Sequence, residues 1–251
     1  MAVPSGRRAD ARRCRAIVAA GLLLAPGTAW AGPPYFSDDP EPTDLGHWEI
    51  YNFVNGTRRD GRLEGEFGFD LNYGGAKDLQ LTAVLPLGYR GAVPGSIGAG
   101  DVELAAKYKF VHQTKHGLIP DVAFFPRVFL PTARDSRRVQ LFLPVWAQKD
   151  LGKWAVFGGG GRTINPGPGQ RDFWQTGLGA TRVVTDRLTL GAELYHQGPD
   201  ATDARAFTGV NVGATYRLKK PFSILVSVGP GVQNPRTQGR YAFYTALKLD
   251  L

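Results

Sequence analysis

One cysteine, Cys14, and one methionine, Met1, carry all the sulfur in this sequence. A single thiol excludes an intramolecular disulfide and any multi-cysteine metal centre. Only four histidines occur, His47, His112, His116 and His196, and they show no metal-ligand spacing. Beyond residue 31 there is no run of 18 apolar residues, so helical membrane spans are excluded there. Stretches with helical amphipathic spacing are hard to find as well.

The first residues have the form of an export signal. Arg7, Arg8, Arg12, Arg13 and Arg15 make a basic start, followed by the apolar core "AIVAAGLLLA" from Ala16 to Ala25. That core is half the roughly 20 residues a spanning helix needs. "AWA" then places Ala29 and Ala31 at the small-residue positions for cleavage before Gly32. Residues 1–31 therefore read as a signal peptide, 32–45 as a Pro-rich acidic segment and 46–251 as the folded body. Cys14 leaves with the signal.

Export also changes the charge balance. The whole chain has 30 Lys+Arg against 22 Asp+Glu, a net of +8. Removing the five Arg and one Asp of residues 1–31 leaves +4. The apparent basic character falls by half, and no nucleic-acid partner is expected.

What the mature part does have is alternation. Twelve runs with a period of two lie near 47–56, 63–73, 78–89, 101–112, 120–131, 139–149, 153–163, 172–183, 187–196, 206–218, 221–231 and 240–251. In one, Leu63, Phe67, Phe69, Leu71 and Tyr73 oppose Glu64, Glu66, Gly68, Asp70 and Asn72. In another, Val102, Leu104, Ala106, Tyr108 and Phe110 oppose Glu103, Ala105, Lys107 and Lys109. Connections alternate too. Short ones fall at 74–77, 114–117, 150–153, 185–187 and 219–220; longer ones centre on 57–62, 90–100, 132–138, 164–171, 197–205 and 232–239. This is the layout of an antiparallel meander with tight turns at one end and loops at the other.

Two all-β folds give such a pattern. A soluble β-sandwich turns the oily face into a core; an outer-membrane barrel turns it to lipid. Sandwich strands usually run about five or six residues, whereas tilted membrane strands need about nine to eleven. The runs here are long, which favours an antiparallel up-and-down transmembrane β-barrel of about 12 strands. In a closed barrel the last run pairs with the first, which fits a sequence whose final residue, Leu251, ends a strand-like run.

Several stretches carry a family resemblance: "GPPYFSDDPEPTDLGHWEIYNF" after the signal, "GDVELAAKYKF" (100–110), "PDVAFFPRVFLPT" (120–132), "LPVWAQKDLGKWAVFGGGGRTINPG" (143–167) and "RLTLGAELYHQ" (187–197). Together they resemble the outer-membrane barrel family labelled "putative MetA pathway of phenol degradation". The resemblance covers essentially the whole mature part, with "DDPEP…GHWE" and "KDLGKW…GGGG" its more specific segments. It implies a bacterial outer-membrane, porin-like channel or transporter, discussed with uptake of aromatic compounds, and no site residues come with it. Leu251 departs from the aromatic residue that commonly ends such chains and helps the barrel-assembly machinery recognise them.

The candidate sites follow from the barrel. The lumen-lining set is Glu66, Asp70, Glu103, Lys107, Lys109, Arg127, Glu193, Arg217, Lys248 and Asp250. These charges either select solutes or brace the interior. Asp38, Asp39, Glu41 and Asp44 stand among prolines that block helix and strand alike. They are expected either to fold inward as a plug on Lys107, Lys109, Arg127 or Arg217, or to form a solvated periplasmic lead-in. Trp48, Tyr73, Tyr89, Trp146, Trp154, Trp174, Tyr216 and Tyr241 lie near strand ends, where interfacial belts place aromatics; an aromatic-solute cage is the other reading. Arg58, Arg59, Arg62, Arg134, Arg137, Arg138, Arg236 and Arg240 decorate the longer loops, either facing lipopolysaccharide phosphates or merely solvated.

Enzymatic readings fare worse. "FGGGG" (157–161) lacks the Lys-Ser/Thr and helix of a phosphate loop and reads as strand glycines that relieve crowding. Ser37, Ser96, Ser136, Ser223 and Ser227 show no nucleophile motif, although His196 and Ser136 could share a rim. The expected function is passive passage of small solutes, hydrophobic or aromatic ones included, with no cofactor and no chemical step. Outer-membrane lipid, lipopolysaccharide and the solute are the expected partners. An outer-membrane hydrolase and a soluble secreted binding protein are the alternatives.

Overall fold

A computed structural model describes residues 34–59, 61–91, 96–115, 117–134, 136 and 138–251. The signal peptide reading, His116 and Arg137 lie outside the described residues.

Alternation produces strands almost throughout. They are β1 (Trp48–Arg59), β2 (Arg62–Ala76), β3 (Leu79–Arg90), β4 (Ser96–Ala99), β5 (Val102–Val111), β6 (Asp121–Phe124), β7 (Arg127–Leu130), β8 (Gln140–Leu151), β9 (Trp154–Ile164), β10 (Phe173–Val183), β11 (Leu188–Gln197), β12 (Phe207–Arg217), β13 (Phe222–Gln233) and β14 (Tyr241–Asp250). Two pairs are single staves interrupted once. β4 and β5 both pair with β3, and β6 and β7 both lie between β5 and β8. Pro126 accounts for the second interruption, because it has no N–H to give the ladder. The result is a closed antiparallel barrel of 12 staves.

Closure is made by β1 on β14, from Glu49 opposite Asp250 to Arg58 opposite Tyr241. Trp48 and Leu251 extend it, each N–H donating to the other's carbonyl at 2.9 Å. The sheet thereby closes on itself, so neither β1 nor β14 is left as a free edge.

Most connections alternate as the sequence suggests, with two corrections. Residues 57–62 are not a longer loop: Arg59 and Arg62 pair directly, so β1 and β2 form a tight hairpin there. The connection through 114–117 is longer than a tight turn, because β5 ends at Val111 and β6 begins only at Asp121. Asp121 Oδ1 accepts from Gln113 N–H and the Lys149 ammonium donates to the carbonyls of Thr114 and Ile119, so side chains hold this longer connection in place of a hairpin.

The two faces differ in chemistry. Phe69, Leu81, Leu85, Leu104, Phe110, Val156, Leu178, Leu194, Val212 and Val226 are exposed on the outside of the ring. Asn72, Gln80, Thr82, Glu103, Lys107, Lys109, Gln148, Thr181, Glu193, Asn211 and Lys248 are buried inside it. A sandwich would do the reverse and bury its apolar face between layers. The apolar clusters inside are small. Tyr51, Phe53, Leu225 and Ala246 form one, and Phe125, Phe142 and Trp146 the other.

Candidate functional site

The prolines and acids before β1 do not trail away from the barrel; they run through it. Pro40 and Pro42 are buried and hold the backbone extended, with few N–H groups left to satisfy. At the tight-turn end Leu45 bridges to Gly74, and Thr43 N–H donates to Gln80 Oε1 at 2.8 Å. Further in, Glu41 takes both hydrogen bonds of a forked contact with Lys109 Nζ, at 2.8 and 2.7 Å.

Asp38 is held hardest. Lys107 Nζ donates to its Oδ1 at 2.9 Å and Arg127 Nη2 to its Oδ2 at 2.6 Å. Lys107 also reaches Asp39 at 3.4 Å, and Arg127 reaches Glu103 at 3.5 Å. Both cations sit over the Phe125 ring, Lys107 at 4.8 Å and Arg127 at 4.3 Å from its centroid. Lys107 is only 4 % exposed. Burial raises the affinity of the Asp38 carboxyl for protons, but Lys107 and Arg127 outweigh it and hold its pKa below the usual value. Asp39 goes the other way. Burial, with Asp38 beside it and only partial compensation from Lys107, pushes its pKa up to about 7. Asp38 therefore carries the anchoring charge at neutral pH.

The segment then crosses to the opposite wall. Phe36 N–H and Ser37 N–H donate to the two carboxylate oxygens of Glu193 at 2.6 and 2.9 Å, and Asn211 steadies that carboxylate at 2.8 Å. Ser227 Oγ donates to the Pro34 carbonyl. Phe36 stacks on Tyr195 at 4.6 Å, and Tyr35 meets Phe157 at 5.5 Å. Inward glycines provide the room. A Cβ on Gly177 would strike the Ser37 hydroxyl, one on Gly191 the Tyr35 hydroxyl, and one on Gly213 would lie 3.0 Å from the Tyr35 ring. Toward the loop end lies a cavity of about 300 Å³, lined by Tyr35, Phe36, Tyr195, Phe207 and Tyr244 among others.

The structure brings Asp70, Glu103, Lys107, Lys109, Arg127 and Glu193 onto the inner face, with Glu66 half-buried on the same side of β2. Asn72 donates to Asp70 at 2.8 Å. Lys248 lies inside at the tight-turn end, paired with Glu49 at 2.9 Å and Asp250 at 2.8 Å. Arg217 does not join the interior cluster. It is exposed at the last position of β12, and among the described residues the interior ion pairs do not include it. Asp44 is also exposed, and Asp38, Asp39 and Glu41 do the binding.

Seven of the eight strand-end aromatics face outward in two bands. Trp48, Tyr73, Trp154 and Tyr216 lie at the tight-turn end, with Tyr89, Trp174 and Tyr241 at the loop end. Trp146 is the correction. It faces inward and is 1 % exposed, because its position on β8 is in phase with Phe142 and Gln148. Its indole lies over Gly159, whose φ of 150° suits glycine and whose missing side chain makes the space. "FGGGG" is thus strand β9 packed against its neighbours.

Sequence reasoning missed the aromatics that matter inside, namely Tyr35, Phe36, Phe157, Tyr195, Phe207 and Tyr244. A signal existed: Tyr195 is in phase with Glu193, and Tyr244 with Lys248. The histidines and serines do not converge among the described residues. His196 contacts Thr208 at 2.8 Å, His112 contacts Asp78 at 2.9 Å, and Ser136 donates to Asp101.

Residues 74–247 match a family model described as "Putative MetA-pathway of phenol degradation". The matched range begins after the acidic segment. Among solved structures, the fold is similar to the COG4313 outer membrane channel from Pseudomonas putida F1. That likeness has 17 % identity and a TM-score of 0.65, and covers 85 % of this chain and 98 % of that one. The outer membrane channel DcaP of Acinetobacter baumannii aligns at 10 % identity and a TM-score of 0.36, over 88 % of this chain and 100 % of that one. No curated protein matches the sequence.

Proposed function

From a chain that belongs to the family described as "Putative MetA-pathway of phenol degradation", we propose an outer-membrane channel that passes small solutes passively, hydrophobic and aromatic ones included. The observation that carries this is the two-faced closed wall: apolar side chains exposed outside, charged and polar ones buried inside. Selection comes from lumen width, interior charge and the segment 34–45, which acts as a restriction. No chemical step is involved. The tight-turn end faces the periplasm and the loops face outward. Exposed Arg58, Arg59, Arg62, Arg134, Arg138, Arg236 and Arg240 at the loop end support an electrostatic match to lipopolysaccharide phosphates. Insertion depends on the barrel-assembly machinery.

Planar-bilayer recording on the refolded protein tests the channel. Discrete current steps are expected, and addition of benzyl alcohol should interrupt or reduce them as the aromatic occupies the lumen. A protein that folds and inserts but never conducts removes the reading.

The membrane-facing wall makes a separate prediction. Leu178, mid-way along β10, is 62 % exposed. On a water-facing surface an arginine there would be tolerated. In a bilayer Leu178→Arg should cost about 2–4 kcal/mol, measured as a shift in the denaturant unfolding curve in lipid vesicles.

A further inference from the structure

We propose that the segment 35–39 is an internal mimic of the solute, and that the channel is built for carboxylates with an aromatic body. This deepens the channel reading and rests on it. The segment presents, in order, two aromatic rings and a carboxylate. Each part occupies a niche of matching chemistry: Phe36 on Tyr195, Tyr35 on Phe157, and Asp38 between Lys107 and Arg127.

The cationic niche belongs to the wall and has the features of a carboxylate receptor. Lys107 and Arg127 come from adjacent staves and take one oxygen each of the same carboxylate. Phe125 floors both. Charge-assisted contacts of this kind, one to each oxygen, favour a carboxylate over a neutral amide or alcohol.

Burial makes the exchange compulsory. When the segment leaves, Lys107 loses Asp38 and Asp39 while Arg127 keeps only its longer contact with Glu103 at 3.5 Å, and an under-paired buried cation is disfavoured. Water can replace part of the contact; an incoming carboxylate can restore the one that Asp38 makes with both Lys107 and Arg127. The cavity beside Tyr35 and Phe36 gives such a solute its approach from the loop end, with aromatic side chains to meet its ring before its carboxylate reaches Asp38's position. The segment is then displaced by competition at its own contacts. Neutral aromatics can occupy the aromatic-lined cavity but lack the carboxylate that competes with Asp38 for Lys107 and Arg127.

The test uses the full-length protein in detergent, with equilibrium binding of 3-phenylpropanoate, 3-phenylpropanamide and acetate. In the wild type the internal carboxylates compete with the probe. Asp38→Asn with Asp39→Asn removes that competition with near-identical shape, so 3-phenylpropanoate should bind at least about tenfold tighter, since apparent affinity scales with the fraction of open sites. Lys107→Gln should weaken it by about tenfold or more, as expected for a lost charged contact of this kind. Heat-modifiable mobility confirms that each variant is a folded barrel. The amide and acetate should show neither change.

An unchanged or weaker affinity in the Asp38→Asn, Asp39→Asn protein overturns the proposal. So does an amide or an acetate that binds as well as 3-phenylpropanoate. Ion current from the same preparations is recorded in parallel. Its absence would remove the channel reading while leaving the binding result standing.

Discussion

A chain lacking residues 34–45 conducts ions better than the full chain, by roughly threefold or more, because current follows the open cross-section of the narrowest part. The segment crosses between the β3–β5 wall and the β11–β13 wall through contacts with Gln80, Lys109, Lys107, Arg127, Glu193 and Ser227. Its removal takes Asp38, Asp39 and Glu41 away from three cations on one wall. Selectivity should therefore move toward anions, read as a change in reversal potential under a salt gradient. The barrel should survive, because water enters the vacated space and solvates Lys107, Lys109 and Arg127. Liposome swelling gives the same answer for neutral solutes. Permeability equal to that of the full chain would show that 34–45 restricts nothing.

Arg127→Ala should be the most destabilising single change in the interior, by about 3–5 kcal/mol, as for removal of one partner of a buried ion pair. The side chain pairs with Asp38 at 2.6 Å and Glu103 at 3.5 Å. Its loss leaves two carboxylates facing each other with Lys107 alone to balance them. The remedy identifies the cause. Adding Asp38→Asn and Glu103→Gln to Arg127→Ala should recover most of the loss, because neutral amides do not repel. Unfolding midpoints in vesicles read both effects. If the triple variant is no more stable than the single one, the loss lies in packing of the guanidinium on Phe125.

Leu178→Arg and Arg127→Ala probe opposite sides of one wall. An arginine is destabilising where Leu178 stands and stabilising at 127, because one position faces hydrocarbon and the other a carboxylate-rich interior. The same asymmetry explains how far the sequence could be read.

The period of two, recurring in runs of about ten residues, determined the twelve staves and the face that most of their side chains occupy, but not the interruptions that split two of them into β4 and β5, and β6 and β7. Strand geometry places alternate residues on opposite faces whatever the neighbours are, so Glu103, Lys107 and Lys109 could be assigned to one face from spacing alone. Ring closure followed from the barrel reading, in which the last run pairs with the first, and the length of the runs favoured that reading over a sandwich. Phase was less secure where an assumption about aromatics overrode it. Trp146 has the residue type of an interfacial belt, although its register with Gln148 puts it inside. Local turn chemistry also misled at 57–62 and 114–117, where pairing of Arg59 with Arg62 and side-chain contacts decided the length.

Only the tertiary structure decided which charges meet. Asp38 lies 69 residues from Lys107 and 89 from Arg127, and Glu193 lies 157 from Phe36. No local pattern encodes such pairs, because they depend on the three-dimensional path of an extended, proline-held segment with no periodicity of its own. The same holds for Arg217, which has the right phase but stands at the end of its strand, where solvent rather than the segment is its neighbour. Alternation determines the face a residue occupies. Its height along the barrel, and the path of the chain inside, determine what it touches there.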